Sequence, residues 1–148
     1  MEEIKIVRSA QVESKPLPGA PKGSGWVKRM IYPPNAMTQG VFLGVAEVLP
    51  GHSPHRWHTH TVDKGEGYEI TYPKGFEEIY YVVQGNGVVQ WKTGDGKVKE
   101  EKVSAGDAIF FPRGVSEHQV LNNSSEKMFV LFCGGPLHKV TFTNKDSK

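Results

Sequence analysis

Two histidines separated by one residue, His58 and His60, are the strongest chemical signal in the sequence. Side chains alternate faces along a strand, so these two project from the same face, about 6.5–7 Å apart along the backbone. Two imidazoles on one face can chelate a metal ion, with further ligands coming from elsewhere in the fold. His118 offers a third imidazole, and Glu77 and Glu78 offer carboxylates at the start of an apolar run. The pattern therefore indicates a metal site assembled from distant segments.

A metal-dependent enzyme also needs a group that moves protons. Tyr80 shares the strand face of Glu78, because one residue separates them, so its hydroxyl can point toward the same site. A core tyrosine with a hydrogen-bonded hydroxyl is the structural alternative. His55 lies three residues before the histidine pair. We predict Tyr80 and His55 as the candidate catalytic residues, and the weaker candidates are His52, Tyr68, Tyr72 and His138.

Several other chemistries lack their sequence signatures. There is no Gly-x-Ser-x-Gly turn, no phosphate-binding Gly-x-x-x-x-Gly-Lys loop and no dinucleotide-binding Gly-x-Gly-x-x-Gly. The Gly-x-Gly stretches at 85–87 and 94–96 are instead expected to be hairpin turns. Cys133 is the single cysteine, which excludes an internal disulfide, and it lacks any sign of a catalytic partner.

Composition favours a small β-rich protein with one domain. The chain has 148 residues, valine outnumbers leucine 17 to 6, and 17 Gly and 10 Pro interrupt it. A net charge of +2 with scattered Lys and Arg does not favour nucleic acid as a partner. No segment approaches 18 consecutive apolar residues, and the acidic N-terminus lacks the features of a signal peptide. Together with the single cysteine, these features predict a cytoplasmic protein that does not bind membranes.

Short β-branched and aromatic runs separated by turn residues predict an all-β sandwich or barrel. Residues 4–7 could add a short edge strand, and residues 11–25, rich in Pro, Gly and Ser, predict an extended arm. Phe110 and Phe111 are expected to lie in the core. The predicted strands lie at 26–32, 41–49, 68–72, 78–83, 88–92, 97–103, 108–111, 118–121, 128–132 and 139–143.

Two motifs in this chain resemble those of the cupin superfamily. In the first, six residues, IYYVVQ, separate Glu78 from Gly85. In the second, Gly106 is followed by DAIFF, by Pro-Arg-Gly and then by His118 and Asn122. The second motif is the more specific, because several fixed offsets hold together.

The resemblance covers residues 41–132 and includes one large departure. The family has three or four residues between the second histidine and the glutamate, whereas this chain has the seventeen residues 61–77. We expect this extra segment to form a hairpin or loop at the mouth of the barrel, over the site.

The resemblance implies a single-domain, double-stranded β-helix or jelly-roll barrel at residues 41–143. Residues 1–40 would form an arm and edge strands packed on it, and residues 144–148 a frayed tail. Carried over residue by residue, the metal ligands would be His58, His60, Glu78 and His118. Three imidazoles and one carboxylate suit one divalent ion of Mn, Fe, Ni or Zn, and leave positions for substrate. No other cofactor is expected.

Two classes of function follow from the resemblance. The first is a metal-dependent enzyme acting on a small oxygen-rich molecule, with isomerase, lyase, decarboxylase or dioxygenase chemistry; sugar isomerisation is one option. The alternative is a non-catalytic module that binds metal or sugar. A structural cupin without metal is disfavoured by the complete ligand set. Because cupins commonly form dimers, and because an arm or strand exchanged between subunits would cover exposed edges, we predict a homodimer.

Overall fold

The computed structural model of the protein describes residues 3–33, 35–38, 40–60, 62–65, 68–71, 74–136 and 139–142. These residues form strands and one short 3-10 turn, and no helix among them is long and apolar enough to cross a membrane. The strands are β1 (Gly25–Ile31), β2 (Phe42–Val48), β3 (Val62–Gly65), β4 (Tyr68–Thr71), β5 (Glu77–Gln84), β6 (Asn86–Lys92), β7 (Val98–Ser104), β8 (Ala108–Phe111), β9 (His118–Leu121), β10 (Met128–Gly135) and β11 (Lys139–Phe142).

The largest sheet has five antiparallel strands in the order β1-β2-β10-β5-β8. Buried and less buried residues alternate strictly along β2 and along most of β5, which is the pattern of a sheet with one face in the core. On β5 the buried positions are Glu78, Tyr80 and Val82. The strand therefore carries one carboxylate and one tyrosine toward the interior.

A second sheet packs against the inner face of the first. It consists of β7-β6-β9, and His58 extends it through an isolated antiparallel bridge to His118. Residues from both sheets share one hydrophobic cluster, in which Val82 and Val130 of the first sheet are joined by Val89 and Val120 of the second. The interior is thus enclosed between two sheets, as the sequence predicted.

The described part of the extra segment 61–77 contains two paired strands, which agrees with the hairpin that was one of the two predicted alternatives. β3 and β4 pair antiparallel, and β11 completes a third sheet in the order β11-β4-β3. Tyr68 and Ile70 of β4 are 5% and 0% exposed and belong to the main hydrophobic cluster. Strand β4 is therefore part of the core rather than part of a loop lying over it.

Three sequence predictions are wrong at the level of local structure. Residues 4–7 do not form a strand, because they have no bridging partner within the described residues. The stretch 85–87 is not a hairpin turn, because β5 pairs with β10 and β8 whereas β6 pairs with β7 and β9. It is a corner between two sheets. Phe110 is 60% exposed, because alternation along β8 turns it outward while Phe111 is buried.

The segment before β1 lies against its own barrel. Lys15 and Val27 exchange two backbone hydrogen bonds of 2.8 Å. Val12 and Leu17 are buried, and Leu17 belongs to the hydrophobic cluster. These contacts fix β1 at the edge of the five-stranded sheet, with Val27 facing the interior.

Candidate metal centre

Strand pairing brings the three predicted histidine ligands together. The backbone N–H of His58 donates to the carbonyl of His118, and that of His118 donates to the carbonyl of His58, each at 3.1 Å. Residues paired in this way project side chains from the same face, and His60 lies two positions further along that face. The ligand atoms of the three rings all lie within 4.8 Å of one another, so the described residues contain a three-histidine cluster that could hold a metal ion.

Hydrogen bonds assign the tautomers of two of these rings. Nδ1 of His118 donates to the Ser116 carbonyl at 2.8 Å, and Nδ1 of His58 donates to the Arg56 carbonyl at 2.7 Å. A carbonyl oxygen only accepts, so the ring proton is assigned to Nδ1 in both cases. The lone pair of each Nε2 is therefore directed into the site, in the form in which imidazole binds a metal.

The distances between ligand atoms fit a common ion. Nε2 of His118 and Nε2 of His60 are 2.9 Å apart. Two nitrogens bound about 2.1 Å from one ion at a right angle would be separated by about 3 Å. The carboxylate of Glu78 approaches His60, with Oε1 3.3 Å from Nε2. The donor set therefore fits a metal, with Glu78 joining the three-histidine cluster through His60.

Strand alternation distinguishes the two adjacent carboxylates. Glu78 is 5% exposed and faces the histidines, whereas Glu77 lies on the opposite, exposed face of β5. This is the arrangement expected from the residue count to Gly85, and it leaves Glu78 as the only carboxylate of the pair directed at the site.

Burial keeps His55, His58 and His118 neutral. Desolvation, reinforced by the neighbouring His55 and His118, lowers the pKa of His58 to about 2. Desolvation lowers the pKa of His118 to about 4, and desolvation together with Arg29 lowers that of His55 to about 4. All three imidazoles are therefore unprotonated near pH 7, which is the state that a metal ligand or a general base requires.

Each histidine of the cluster lies against another aromatic ring. His55 stacks on His58 with centroids 3.7 Å apart, and Phe111 stacks on His118 at 4.5 Å. Phe76 stacks on His60 at 4.3 Å with an angle of 11° between the planes. These rings restrict the rotation of the three imidazoles and keep water from their faces.

Phe76 was not predicted as part of the site. Its place one position before β5 gives it the same alternation as Glu78, so the period of a strand extended backwards could have identified it. Gly75 precedes it at φ +72°, and a Cβ there would lie 2.4 Å from the Arg113 carbonyl oxygen. Only glycine tolerates both constraints, so Gly75 holds the end of the extra segment against the turn of the second motif.

A cavity of about 50 Å³ opens beside the cluster. Both predicted catalytic residues line it, together with His58 and Glu78. Tyr80 is 5% exposed and packs edge-on against Phe111. His52 does not line the cavity, and Tyr72 and His138 lie outside the described residues. The remaining lining residues are Pro18, Val27, Arg29, Tyr32, Pro54, Thr59, Phe76 and Phe132.

Asn122 of the second motif has a structural role. Its side chain is fully buried and donates to the carbonyls of Val48 and Glu126 at 2.9 and 2.8 Å. Its Oδ1 accepts from the backbone N–H and the hydroxyl of Ser124. Asn122 therefore ties the turn after β9 to the end of β2.

Cys133 is half-buried, and burial raises the pKa of its thiol, which does not favour a nucleophile.

Comparison with family models identifies this architecture. A model of the Cupin domain matches residues 58–134, or 77 of the 148 residues. The chain belongs to the cupin family. The matched segment of this cupin begins at His58, the first of the clustered histidines, and ends within β10. Strands β1 and β2 precede it.

Solved structures share the fold of this cupin. A mutant of Bacillus subtilis oxalate decarboxylase OxdC aligns with a TM-score of 0.61 and 18% identity, over 83% of this chain and 29% of that one. A second structure of the same enzyme, concerned with its Mn(II) centres, aligns with a TM-score of 0.61 and 17% identity, over 82% and 29%. Lactobacillus farciminis oxalate decarboxylase in complex with formate aligns with a TM-score of 0.60 and 20% identity, over 92% and 35%.

The chain spans about a third of the length of these proteins. At these identities the similarity concerns the fold, and it confirms the predicted all-β jelly-roll barrel. A search of curated protein sequences found no significant match.

Proposed function

We propose that this cupin is an enzyme that binds one divalent first-row metal ion through His58, His60, His118 and Glu78. The observation that carries the proposal is the 2.9 Å separation of the Nε2 atoms of His60 and His118, beside rings whose tautomers direct lone pairs into the site. Four protein ligands on a six-coordinate ion leave two positions for a substrate. The substrate would be a small oxygen-rich molecule.

Manganese is the first metal to test, because Bacillus subtilis oxalate decarboxylase has Mn(II) centres. Iron, nickel and zinc also accept three imidazoles and one carboxylate. The affinity of such a site for divalent first-row metals rises toward copper, so the ligand set alone does not select one of these ions. When bound, such an ion supplies Lewis-acid polarisation of a substrate oxygen or, as iron, reactivity with dioxygen. The reaction would accordingly be an isomerase, lyase, decarboxylase or dioxygenase reaction.

His55 and Tyr80 are the proposed proton-transfer groups. Both line the cavity, and the unprotonated imidazole of His55 is in the form that accepts a proton from a substrate. The Tyr80 hydroxyl is the matching donor on the β5 side. Buried walls formed by Phe76 and Phe132 exclude bulk water from the same space.

Elemental analysis of the purified protein tests the metal site. We expect about one equivalent of a divalent metal in the wild type and in His52→Ala, a matched control whose ring is not part of the cluster. His118→Ala should lose the metal and keep the circular dichroism of a folded β protein. Full metal occupancy in His118→Ala would refute the ligand assignment.

A non-catalytic module that binds metal or sugar is the second candidate. The cavity of about 50 Å³ favours the metal-binding form of such a module, because pockets that enclose a small-molecule ligand usually measure roughly 300–1,000 Å³. His55→Gln and Tyr80→Phe distinguish the two candidates. In an enzyme they keep the metal and lower turnover by about 10²–10⁴-fold. In a binding module, no reaction is found for the wild type with any substrate of the proposed classes.

We further propose a homodimer in which the outer face of the five-stranded sheet packs against a second copy of the chain. Ile79, Tyr81 and Val83 of β5 are 43–47% exposed on that face, and Phe110 of β8 pairs with Ile79 in the ladder. Exposed apolar side chains this close together favour association with another protein surface. The cytoplasmic location stays a prediction from the sequence.

A further inference from the structure

Arg29 is a half-buried cation that lines the cavity beside the candidate metal centre. On β1 it pairs with Gly44 of β2, and Val27 pairs with Ala46. Val27, Gly44 and Ala46 are all buried, so this side of the β1–β2 ladder faces the interior and Arg29 faces it too. The adjacent Lys28 faces the other way, with Nζ 2.9 Å from the Ser9 carbonyl.

The guanidinium of Arg29 is held in place by an aromatic ring. Its Cζ lies 6.0 Å from the centroid of the Tyr32 ring, which is 3% exposed and packs on Phe42 at 5.2 Å. Cation–π contact of this kind orients the group without neutralising it. The ladder register also shifts directly after Arg29, between it and Ile31, so the strand is irregular where the arginine enters the site.

No ion pair neutralises this charge among the described residues. The ion pairs of these residues involve other cations, and Glu78, the carboxylate that lines the cavity, directs its Oε1 to His60. A half-buried charge without an ion partner carries part of the desolvation cost of a buried one, and an anion bound in the cavity would offset it. Arg29 and the proposed metal site line the same small cavity, so a bound molecule can contact both.

We propose that Arg29 is a specificity-determining residue that binds a carboxylate group of the substrate beside the metal. The planar guanidinium donates two parallel hydrogen bonds to a carboxylate, which a neutral amide or hydroxyl cannot accept with the same strength. The positive charges of Arg29 and a divalent ion would exceed the single negative charge of Glu78, so the cavity favours an anion. The cavity volume limits the enclosed part to a few heavy atoms. The inference rests on the proposed function, because it names the substrate class of that site.

Calorimetric titration of metal-loaded protein with acetate and malonate tests the inference, with acetamide and malonamide as neutral probes of the same shape. Wild type should bind at least one carboxylate and neither amide. Arg29→Gln should weaken carboxylate binding by at least about tenfold, the effect of losing a charge-assisted hydrogen bond, and keep full metal content. The carboxylate affinity of Arg29→Lys should lie between those of the wild type and of Arg29→Gln. Lys28→Gln, which makes the same change in net charge on the opposite face of β1, should bind as wild type does.

The outcomes separate this inference from the proposed function. Wild-type carboxylate affinity in folded, metal-loaded Arg29→Gln overturns the role of Arg29 and leaves the metal site intact. A wild type that takes up metal and binds neither carboxylate at millimolar concentration also overturns it. If the wild type takes up no metal, the proposed function fails, and the same titrations of the metal-free protein decide whether Arg29 alone binds the anion.

Discussion

The ring of Phe76 lies flat on the imidazole of His60, with centroids 4.3 Å apart. Phe42 packs edge-on against Phe76 with centroids 5.1 Å apart, so the stacking ring is itself fixed in the core. Phe76 is the penultimate residue of the extra segment 61–77. The end of the extra segment therefore packs on a candidate metal ligand, and this packing and the orientation of His60 are coupled.

Phe76→Leu should weaken metal binding by about 10–100-fold, because residues that orient a ligand ring contribute that much to affinity. Leucine retains apolar volume in the core and lacks the flat face that stacks on His60. A competition titration with a chelator of known affinity measures the effect. Phe142→Leu, which changes an exposed phenylalanine at the end of β11, is the control and should bind metal as wild type does. Equal affinities for the two variants would contradict the coupling.

Glu78→Gln should lower metal affinity strongly, whereas Glu77→Gln should not. The two positions are adjacent, and strand alternation turns only Glu78 toward the histidines. The substitution preserves shape and removes one negative charge in both variants, so the difference isolates the effect of facing the site. Metal equivalents per chain after dialysis, with thermal unfolding as a check of folding, are the measurements. Similar metal content in the two variants would exclude Glu78 as a ligand.

The metal-free protein should lose stability as the pH falls from about 6.5 to about 4. His55 and His118 have folded-state pKa values near 4 and His58 has one near 2, all below the usual 6.5. The unfolded chain therefore binds more protons than the folded chain in this pH range, so protonation favours unfolding. The stability contributed by the neutral histidines is fully present only above pH 6.5. Urea unfolding in the presence of EDTA at pH 7.5, 6.5, 5.5 and 4.5 measures the trend.

His58→Gln provides the control for that trend. It removes the group whose pKa is lowered most, and since glutamine does not titrate, the pH dependence should become weaker while His55 and His118 maintain part of it. Stability that is independent of pH across the window in the wild type would mean that the histidines protonate as readily in the folded state as in the unfolded one.

Tyr81→Glu should convert the proposed dimer to a monomer. Tyr81 lies at the centre of the exposed apolar row of β5, and an interface that buries an unpaired carboxylate is strongly disfavoured. Val98→Glu is the matched control, because Val98 is also about half exposed and lies on β7 of the other sheet. Light scattering at micromolar concentration gives the masses. A monomeric wild type would rule out the dimer at that concentration.

Local sequence patterns were enough to predict much of the barrel. The short β-branched and aromatic runs identified most strands, and alternation along β5 placed Tyr80 on the face of Glu78 and Glu77 on the opposite one. It could not predict pairing between distant strands. The stretch 85–87 has the composition of a hairpin turn, and only the partners of β5 and β6 make it a corner between sheets. Likewise, nothing near β4 indicates that β11 is its neighbour.

The sequence likewise identified some residues of the candidate site and not others. His58, His60 and His118 are chemically distinctive residues in a recognisable spacing, so the sequence identified them. Phe76 and Arg29 are ordinary residue types whose significance depends on which ring or cavity they meet after folding. Arg29 also lies before the segment that matches the family model, where no motif points to it.

The bridge between His58 and His118 joins two residues sixty positions apart in the sequence. An ion held by both rings would act as a removable cross-link between the two ends of that long loop, and the unfolded chain would have no comparable site. Its binding free energy would then add directly to the stability of the closed barrel, rising with the logarithm of the free metal concentration. The melting temperature of this protein would therefore report the metal supply of its surroundings.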